Sequence, residues 1–159
     1  MLKSLSSLGV LSEVRPEDVT LCAASEFLNR EDGLPGLEKA YDFKIPDDNI
    51  VRMNEDQIYK AVDEGEKCNY GEVFATDGRI GALDLMLLKD DKNFFPIYNP
   101  SLTVRKKVMD EYPEIADVFD PISKELDDET LRDLNAAVEV DEESPEDVAR
   151  RFLRENGLL

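Results

Sequence analysis

The chain has 159 residues, 37 acidic and 19 basic, with a formal net charge of −18 and no histidine or tryptophan. Its hydrophobic fraction of 42% is too high for a disordered acidic tail, while the negative charge argues against nucleic acid as a partner. Without imidazole there is no Ser-His-Asp or Cys-His pair and no ordinary zinc site, which leaves carboxylate chemistry or no chemistry at all; no metal or cofactor is expected.

The start, Met1-Leu2-Lys3 followed by mixed small residues, lacks the apolar stretch and cleavage site of a signal peptide. Residues 1–18 are taken as a lead-in segment. No apolar run approaches the roughly 20 residues of a membrane span. Residues 19–25 form a short apolar run and predict a buried strand. Asn29 to Gly33 is a polar loop, and Leu34-Pro35 places proline near the first turn of a helix with Leu34, Leu37, Ala40 and Tyr41 on one face. Ile50, Val51 and Met53 predict a second strand. Asn54 is the expected N-cap of a helix through Glu64, with Gln57 in the capping-box position and Gly65 as its stop. Tyr70 to Ala75 and Leu85 to Leu88 are the next expected strands, separated by the turn Thr76-Asp77-Gly78. Strands separated by short helices predict a three-layer α/β unit.

Beyond the segment Phe94 to Pro100 the pattern becomes helical. Helices are expected over 103–112, within 114–125, from an Asp127 cap to about Ala137, and from the Ser144 cap to Asn156 with Gly157 behind it. Residues 110–149 hold 16 acids and two bases, Lys124 and Arg132, a net charge of −14. These are solvated helix faces, or an adaptation to moderate salt.

Four positions carry candidate chemistry. Arg30, beside Glu31 and Asp32, is either a surface ion pair or an anion clamp, because guanidinium forks a carboxylate. Thr76 and Asp77 follow an apolar strand where open α/β sheets place ligands, although a helix-capping aspartate is the plainer reading of Asp77. The cluster Phe94-Phe95-Pro96-Ile97-Tyr98 is packing, or else Tyr98 forms a wall of an aromatic cage for a cation. Tyr70 is a spare aromatic. Paired acids such as Asp90-Asp91 lack a convincing metal-ligand array. Cys22 and Cys68 form no CxxC; free thiols are the expectation, with a bridge left open.

The stretch Glu26 to Leu37, with Ala75-Thr76-Asp77-Gly78-Arg79-Ile80, Asp90-Asp91-Lys92-Asn93-Phe94-Phe95-Pro96 and Val104-Arg105, resembles the substrate-binding proteins of ABC importers for glycine betaine and other quaternary amines. Leu134-Asn135, Val138 to Asp141 and the closing Gly157-Leu158-Leu159 continue the likeness. The resemblance implies a type II periplasmic-binding-protein-like α/β fold, two lobes closing on a ligand, and no catalysis. It implies Arg30 as the clamp for a ligand carboxylate, Tyr98 as a cage wall, and Thr76 and Asp77 as pocket-edge or hinge residues. A quaternary ammonium has charge but no N–H to donate, which is why aromatic faces suit it.

On the same resemblance, residues 19–98 supply the second lobe and 99–159 the hinge return and C-terminal helices of the first. The N-terminal half of the first lobe is then absent, and the chain is expected to be a fragment, a truncated product or half of a split protein. The implied partners are a quaternary-ammonium ligand, an ABC permease and a chain supplying the missing half, at the outer face of a membrane. The alternatives are a ligand-sensing regulatory module of the same fold or a non-functional fragment. If half of the first lobe is missing, the helices after Asn99 are expected to show an uncovered apolar face or to pair with another chain.

Overall fold

The computed structural model describes residues 2–97 and 100–159, which divide into two units. The first comprises residues 2–75 and 80–96, and the second residues 76–79 with 97 and 100–159.

The first unit is built on a parallel sheet of three short strands: β1 (Leu21–Ala23), β2 (Ile50–Arg52) and β3 (Tyr70–Gly71). Their order is β2-β1-β3, with Leu21 beside both Ile50 and Tyr70, and Cys22 beside both Val51 and Gly71. All three residues of β1 are buried, as an apolar run in a central parallel strand should be. Because alternate side chains point to opposite faces, β1 feeds two layers. Leu21 and Ala23 join a core with Leu5 and Leu8 of helix α1 (Leu5–Val14), Leu28 of α2 (Ser25–Asn29), and Leu34, Leu37 and Tyr41 of α3 (Leu34–Tyr41). Cys22 points the other way, to Ile58 and Ala61 of α4 (Glu55–Glu64) and to Cys68. The result is the expected helix–sheet–helix sandwich.

Helix α1 lies within the segment taken as a lead-in. Ser4 caps it through a reciprocal pair with Ser7, and Leu5 and Leu8 bury one stripe, while Val10 and Val14 are exposed and blur the period. Its start is tied down by Leu5 N–H donating to Lys89 O (2.9 Å) and Lys89 N–H donating to Lys3 O (3.0 Å). Helix α4 ends on Gly65 in the left-handed conformation (φ 66°), the expected stop. Asn54 takes the N-cap position, but its side chain accepts no cap hydrogen bond, so the expected capping box is not formed.

The expected strand over Leu85 to Leu88 is absent. Asp84 adopts a left-handed backbone (φ 52°), Leu85 N–H donates back to Ile80 O, and Met86 and Leu87 are exposed instead of entering the sheet. The strand expected over 70–75 is shorter, spanning only Tyr70–Gly71; beyond it Phe74 N–H donates to the Tyr59 hydroxyl (3.2 Å) and not to the sheet. A following helix, α5 (Arg79–Ala82), is a single turn.

Cys22 and Cys68 form a disulfide, correcting the expectation of free thiols. Asn69 and Tyr70 both donate their N–H groups to Thr20 O, drawing residue 68 alongside β1 with 5.7 Å between the two Cα atoms. A separation of 46 residues with no local motif hid the pairing in the sequence.

The second unit contains α6 (Lys106–Glu111), α7 (Ile115–Lys124), α8 (Asp128–Glu139) and α9 (Pro145–Glu155). Its caps follow the sequence closely. Asp127 Oδ1 accepts from Thr130 N–H (2.8 Å) and the Ser144 hydroxyl accepts from Asp147 N–H (3.4 Å). Helices α8 and α9 bury Ala137, Val148 and Phe152, whereas α6 and α7 bury nothing. Among the described residues no helix is long and apolar enough to cross a membrane.

Closing a loop of 46 residues restricts the unfolded chain by roughly 2–4 kcal/mol. Reduction under non-denaturing conditions is therefore expected to lower the melting temperature of the first unit by about 10 °C or more. A melting curve that does not move on reduction contradicts this.

Candidate functional site

In open parallel sheets the carboxyl ends of the strands face a crevice, because each strand hands the chain to a helix that folds back over the sheet. Here β1 runs into α2 and β2 into α4. Ala24, Ser25, Arg52, Met53, Asn54, Glu55 and Asp56 line an open crevice of about 530 Å³ at those ends. The third strand contributes beside β1: Ala24 N–H donates to Glu72 Oε2 (3.3 Å). Burial pushes the Glu72 carboxyl up, against that hydrogen bond, and the charges of Glu55 and Glu26 act in the same direction as burial. A half-buried carboxylate among acids makes this end of the sheet a place that favours a cation. Two residues further on, Phe74 is 60% exposed, an aromatic face left open at the end of β3.

Arg30 is the C-cap of α2, whose first residue lines the crevice; it is not itself a lining residue. Its fork grips Asp32 through Nε (2.8 Å) and Nη2 (2.5 Å), while Nη1 donates to Glu26 Oε1 (2.9 Å). These hydrogen bonds, first to Asp32 and then to Glu26, hold the guanidinium more firmly protonated than usual, and in turn keep Asp32 below the ordinary carboxylate range. The bidentate contact is the one a ligand carboxylate would make, with Asp32 occupying the fork. Half of the Arg30 side chain is exposed, so the pair sits in water, where such contacts exchange readily.

Thr76 and Asp77 fall in the second unit, so the structure does not bring them together with Arg30 in one body. Thr76 O accepts a hydrogen bond from Asn135 Nδ2 of α8 (2.8 Å). Asp77 is almost wholly buried; its carboxylate accepts from the Arg79 N–H (3.0 Å) and grips the Arg79 guanidinium at 2.9 and 2.7 Å. It therefore does what a capping aspartate does at the start of α5. Gly78 approaches α8 so closely that a Cβ there would lie 2.4 Å from the Ala136 backbone. Tyr98 lies outside the described residues. Tyr70 is half-buried in β3, and burial pushes its phenol up.

Phe94 and Phe95 take the packing role. They meet edge to face at 4.9 Å, Phe27 stacks on Phe95 at 6.5 Å, and both join the larger core. Asp90 organises their loop by accepting from the Tyr41 hydroxyl (2.5 Å), Phe94 N–H (3.0 Å) and Phe95 N–H (2.8 Å). Burial alone would raise the Asp90 carboxyl, but these hydrogen bonds outweigh it and hold it below the usual range. Burial and the bond to Asp90 push the Tyr41 phenol up to about 12. Among the described residues no group of three or more Cys, Asp and Glu side chains is placed to hold a metal ion.

Residues 2–155 match the family of substrate-binding domains of the ABC-type glycine betaine transport system. The chain belongs to that family. It is 40% identical over 148 residues to a glycine-betaine-binding protein of Pseudomonas aeruginosa, covering 92% of this chain and 47% of that protein. To the glycine betaine-binding protein YehZ of Escherichia coli it is 36% identical over 159 residues, covering 96% and 52%. An ergothioneine transport permease/ergothioneine binding protein of Helicobacter pylori is 41% identical over 136 residues, covering 86% and 24%. Among solved structures, apo YehZ from E. coli superposes with a TM-score of 0.80 at 33% identity, covering 99% of this chain and 57% of that one. A crystal structure of a glycine betaine/carnitine/choline ABC transporter gives 0.84 at 29%, covering 99% and 55%. The expected type II binding-protein-like α/β fold is thus established, in a family that binds solutes instead of transforming them. The chain spans about half the length of the glycine-betaine-binding relatives it matches.

Sequence reasoning did not single out Ser25, Glu72 or Phe74. Their signal was positional: each sits just beyond the carboxyl end of a parallel strand.

The close approach at Gly78 is testable. Gly78→Ala is expected to destabilise the second unit by about 1–3 kcal/mol, since the clash is with backbone. Asn135→Ala, which removes the Thr76 hydrogen bond, is expected to cost about 1 kcal/mol. Denaturant titration of Gly78→Ala that matches the parent protein contradicts the close packing.

Proposed function

We propose that this chain is a solute-binding module for a quaternary-ammonium compound, delivering it to an ABC permease by closure of two lobes instead of acting on it chemically. The observation that carries the reading is the crevice at the carboxyl ends of β1 and β2, lined by Glu55 and Asp56, with Glu72 bonded to Ala24 of its lining and the exposed Phe74 two residues further along the chain. Negative charge and an aromatic face together attract a cation that has no proton to donate. Glycine betaine, carnitine and choline, named for the similar proteins, share a trimethylammonium head, and the first two also carry a carboxylate.

In this reading Arg30 exchanges Asp32 for the ligand carboxylate, Tyr98 adds an aromatic wall, and Thr76 and Asp77 lie at the pocket edge. The Thr76–Arg79 segment belongs to the second unit while the chain on either side belongs to the first, which suits a hinge. The buried disulfide supports an oxidising location, as at the outer face of a membrane. A relative named as both permease and binding protein supports partnership with a permease. The relatives are about twice as long as the matched part, which supports a site completed by further polypeptide.

Calorimetry with glycine betaine and choline tests the roles. The chain alone is expected to bind both weakly, in the millimolar range that corresponds to about 4 kcal/mol. Arg30→Ala is expected to weaken glycine betaine roughly tenfold and spare choline, whereas Phe74→Ala weakens both. Equal effects of Arg30→Ala on the two ligands contradict the clamp, and nanomolar binding by the chain alone contradicts an incomplete site.

A further inference from the structure

The Cys22–Cys68 disulfide sits in the layer that supports the strand-end crevice. Both cysteines are sealed from solvent, at 0% and 1% exposure, in a cluster with Ile58 and Ala61 of α4. Met53, which lines the crevice, packs against that cluster, and so does Val73, which stands between Glu72 and Phe74. Every residue lining the crevice falls inside the loop that the bridge closes, whereas Glu72 and Phe74 fall just outside it. The bridge is therefore the covalent join between the lining loops and the segment that carries the half-buried carboxylate and the open aromatic face.

That segment has few other holds. Strand β3 has two residues and lies at the edge of the sheet. Asn69 and Tyr70 N–H groups both use Thr20 O, and past them Glu72 N–H donating to Cys22 O (3.0 Å) continues the ladder. Short edge elements of this kind are the first to open locally. Gly71 adds a geometric condition. A Cβ there would lie 2.5 Å from Ile58 Cγ2 and 2.8 Å from Val62 Cγ2, so β3 is seated only when its backbone is drawn close onto α4. The bridge, one residue before Asn69, supplies that draw and persists through each local opening. We propose that the Cys22–Cys68 bridge is a positioning device for the crevice, seating the β3 edge so that affinity for a cationic solute is linked to the oxidation state of the bridge. The proposal rests on reading the crevice as the solute site. Reduction by a dithiol transfers two electrons and two protons to the bridge, leaving two cysteine thiols and the reagent as a cyclic disulfide. With the bridge open, Glu72 lifts from Cys22 O and from Ala24 N–H, and the crevice loses its carboxylate and aromatic side. Linkage requires the reverse as well: bound solute stabilises the disulfide against the dithiol by the same factor.

The test compares the full 159-residue chain in three forms: oxidised, held reduced in excess dithiothreitol, and Cys22→Ala/Cys68→Ala, which needs no reductant. Without solute, amide exchange at Tyr70 and Glu72 is expected to speed up in the two bridgeless forms by roughly tenfold or more relative to Leu28 and Leu37. Choline, titrated at constant ionic strength, is expected to bind those forms roughly fivefold to tenfold more weakly than the oxidised chain. Leu8→Ala is the control, because it destabilises the same unit through the other helical layer. Its melting temperature is expected to fall while its choline affinity holds. Circular dichroism confirms that each form is folded at the temperature used, and where the alanine pair is not, the reduced chain carries the comparison. Equal exchange at Tyr70 and Glu72 with and without the bridge, or equal choline affinity, overturns the proposal. An equal loss of choline affinity in Leu8→Ala also overturns it, since the bridge then acts through stability alone. If no form binds choline, the reading of the crevice as the solute site fails, and exchange at Glu72 still decides whether the bridge seats β3.

Discussion

The first unit depends on the pairing of β1 along both its edges. Three residues, Leu21, Cys22 and Ala23, hold β2 on one side and β3 on the other, and their side chains alternate between two helical layers. A central parallel strand this short has little redundancy, and the contacts around it compensate. Met53 N–H donates to Ala23 O and Glu72 N–H donates to Cys22 O, extending the ladder past the strands, while the disulfide fixes Cys22 to the approach of β3. Because the three carboxyl ends are held in register, Ala24, Asn54 and Glu72 arrive at one edge. The crevice is a consequence of that register, not a separate construction.

The two units use their polar groups differently. In the first, polar side chains serve geometry: Tyr41 and Asp90 hold the Phe94–Phe95 loop, and Glu38 accepts from Ile45 N–H (3.0 Å) while pairing with Lys44 (2.8 Å). In the second, the charge lies mostly on exposed helix faces, where Lys106–Asp110 and Arg150–Glu146 pairs contribute little individually. Most of the excess negative charge therefore has a solvation role, whereas Glu55, Asp56 and Glu72 gather at the strand ends.

Local signals were legible in the sequence where one residue type decides the backbone. Ser144-Pro145-Glu146-Asp147 marks the start of α9, Asp127 that of α8, and Gly65 the end of α4, because each satisfies helix-end groups through its own chemistry. What escaped depends on contacts between distant residues. Helix α1 is stabilised by burial of Leu5 and Leu8 and by Lys89, which the local pattern of residues 1–18 does not announce. The Cys22–Cys68 bridge needs the pairing of β1 with β3, and the false strand at 85–88 looked apolar while Asp84 turned the backbone away. For the site, Arg30 and its acidic neighbours were visible as a pair, and the structure specifies Asp32 and Glu26 as the acids that hold it. Glu72 and Phe74 were not visible, because their place at the sheet edge exists only once the strands are aligned.

The claim at the centre of this account is that the strand-end crevice of the first unit receives the cationic solute. Amide chemical-shift mapping during a titration with glycine betaine tests it residue by residue. The account predicts perturbations concentrated at Ala24, Ser25, Arg30, Met53, Asn54 and Phe74, with helices α6 and α7 unmoved. Perturbations centred on α6 and α7, or none at millimolar ligand, would contradict it.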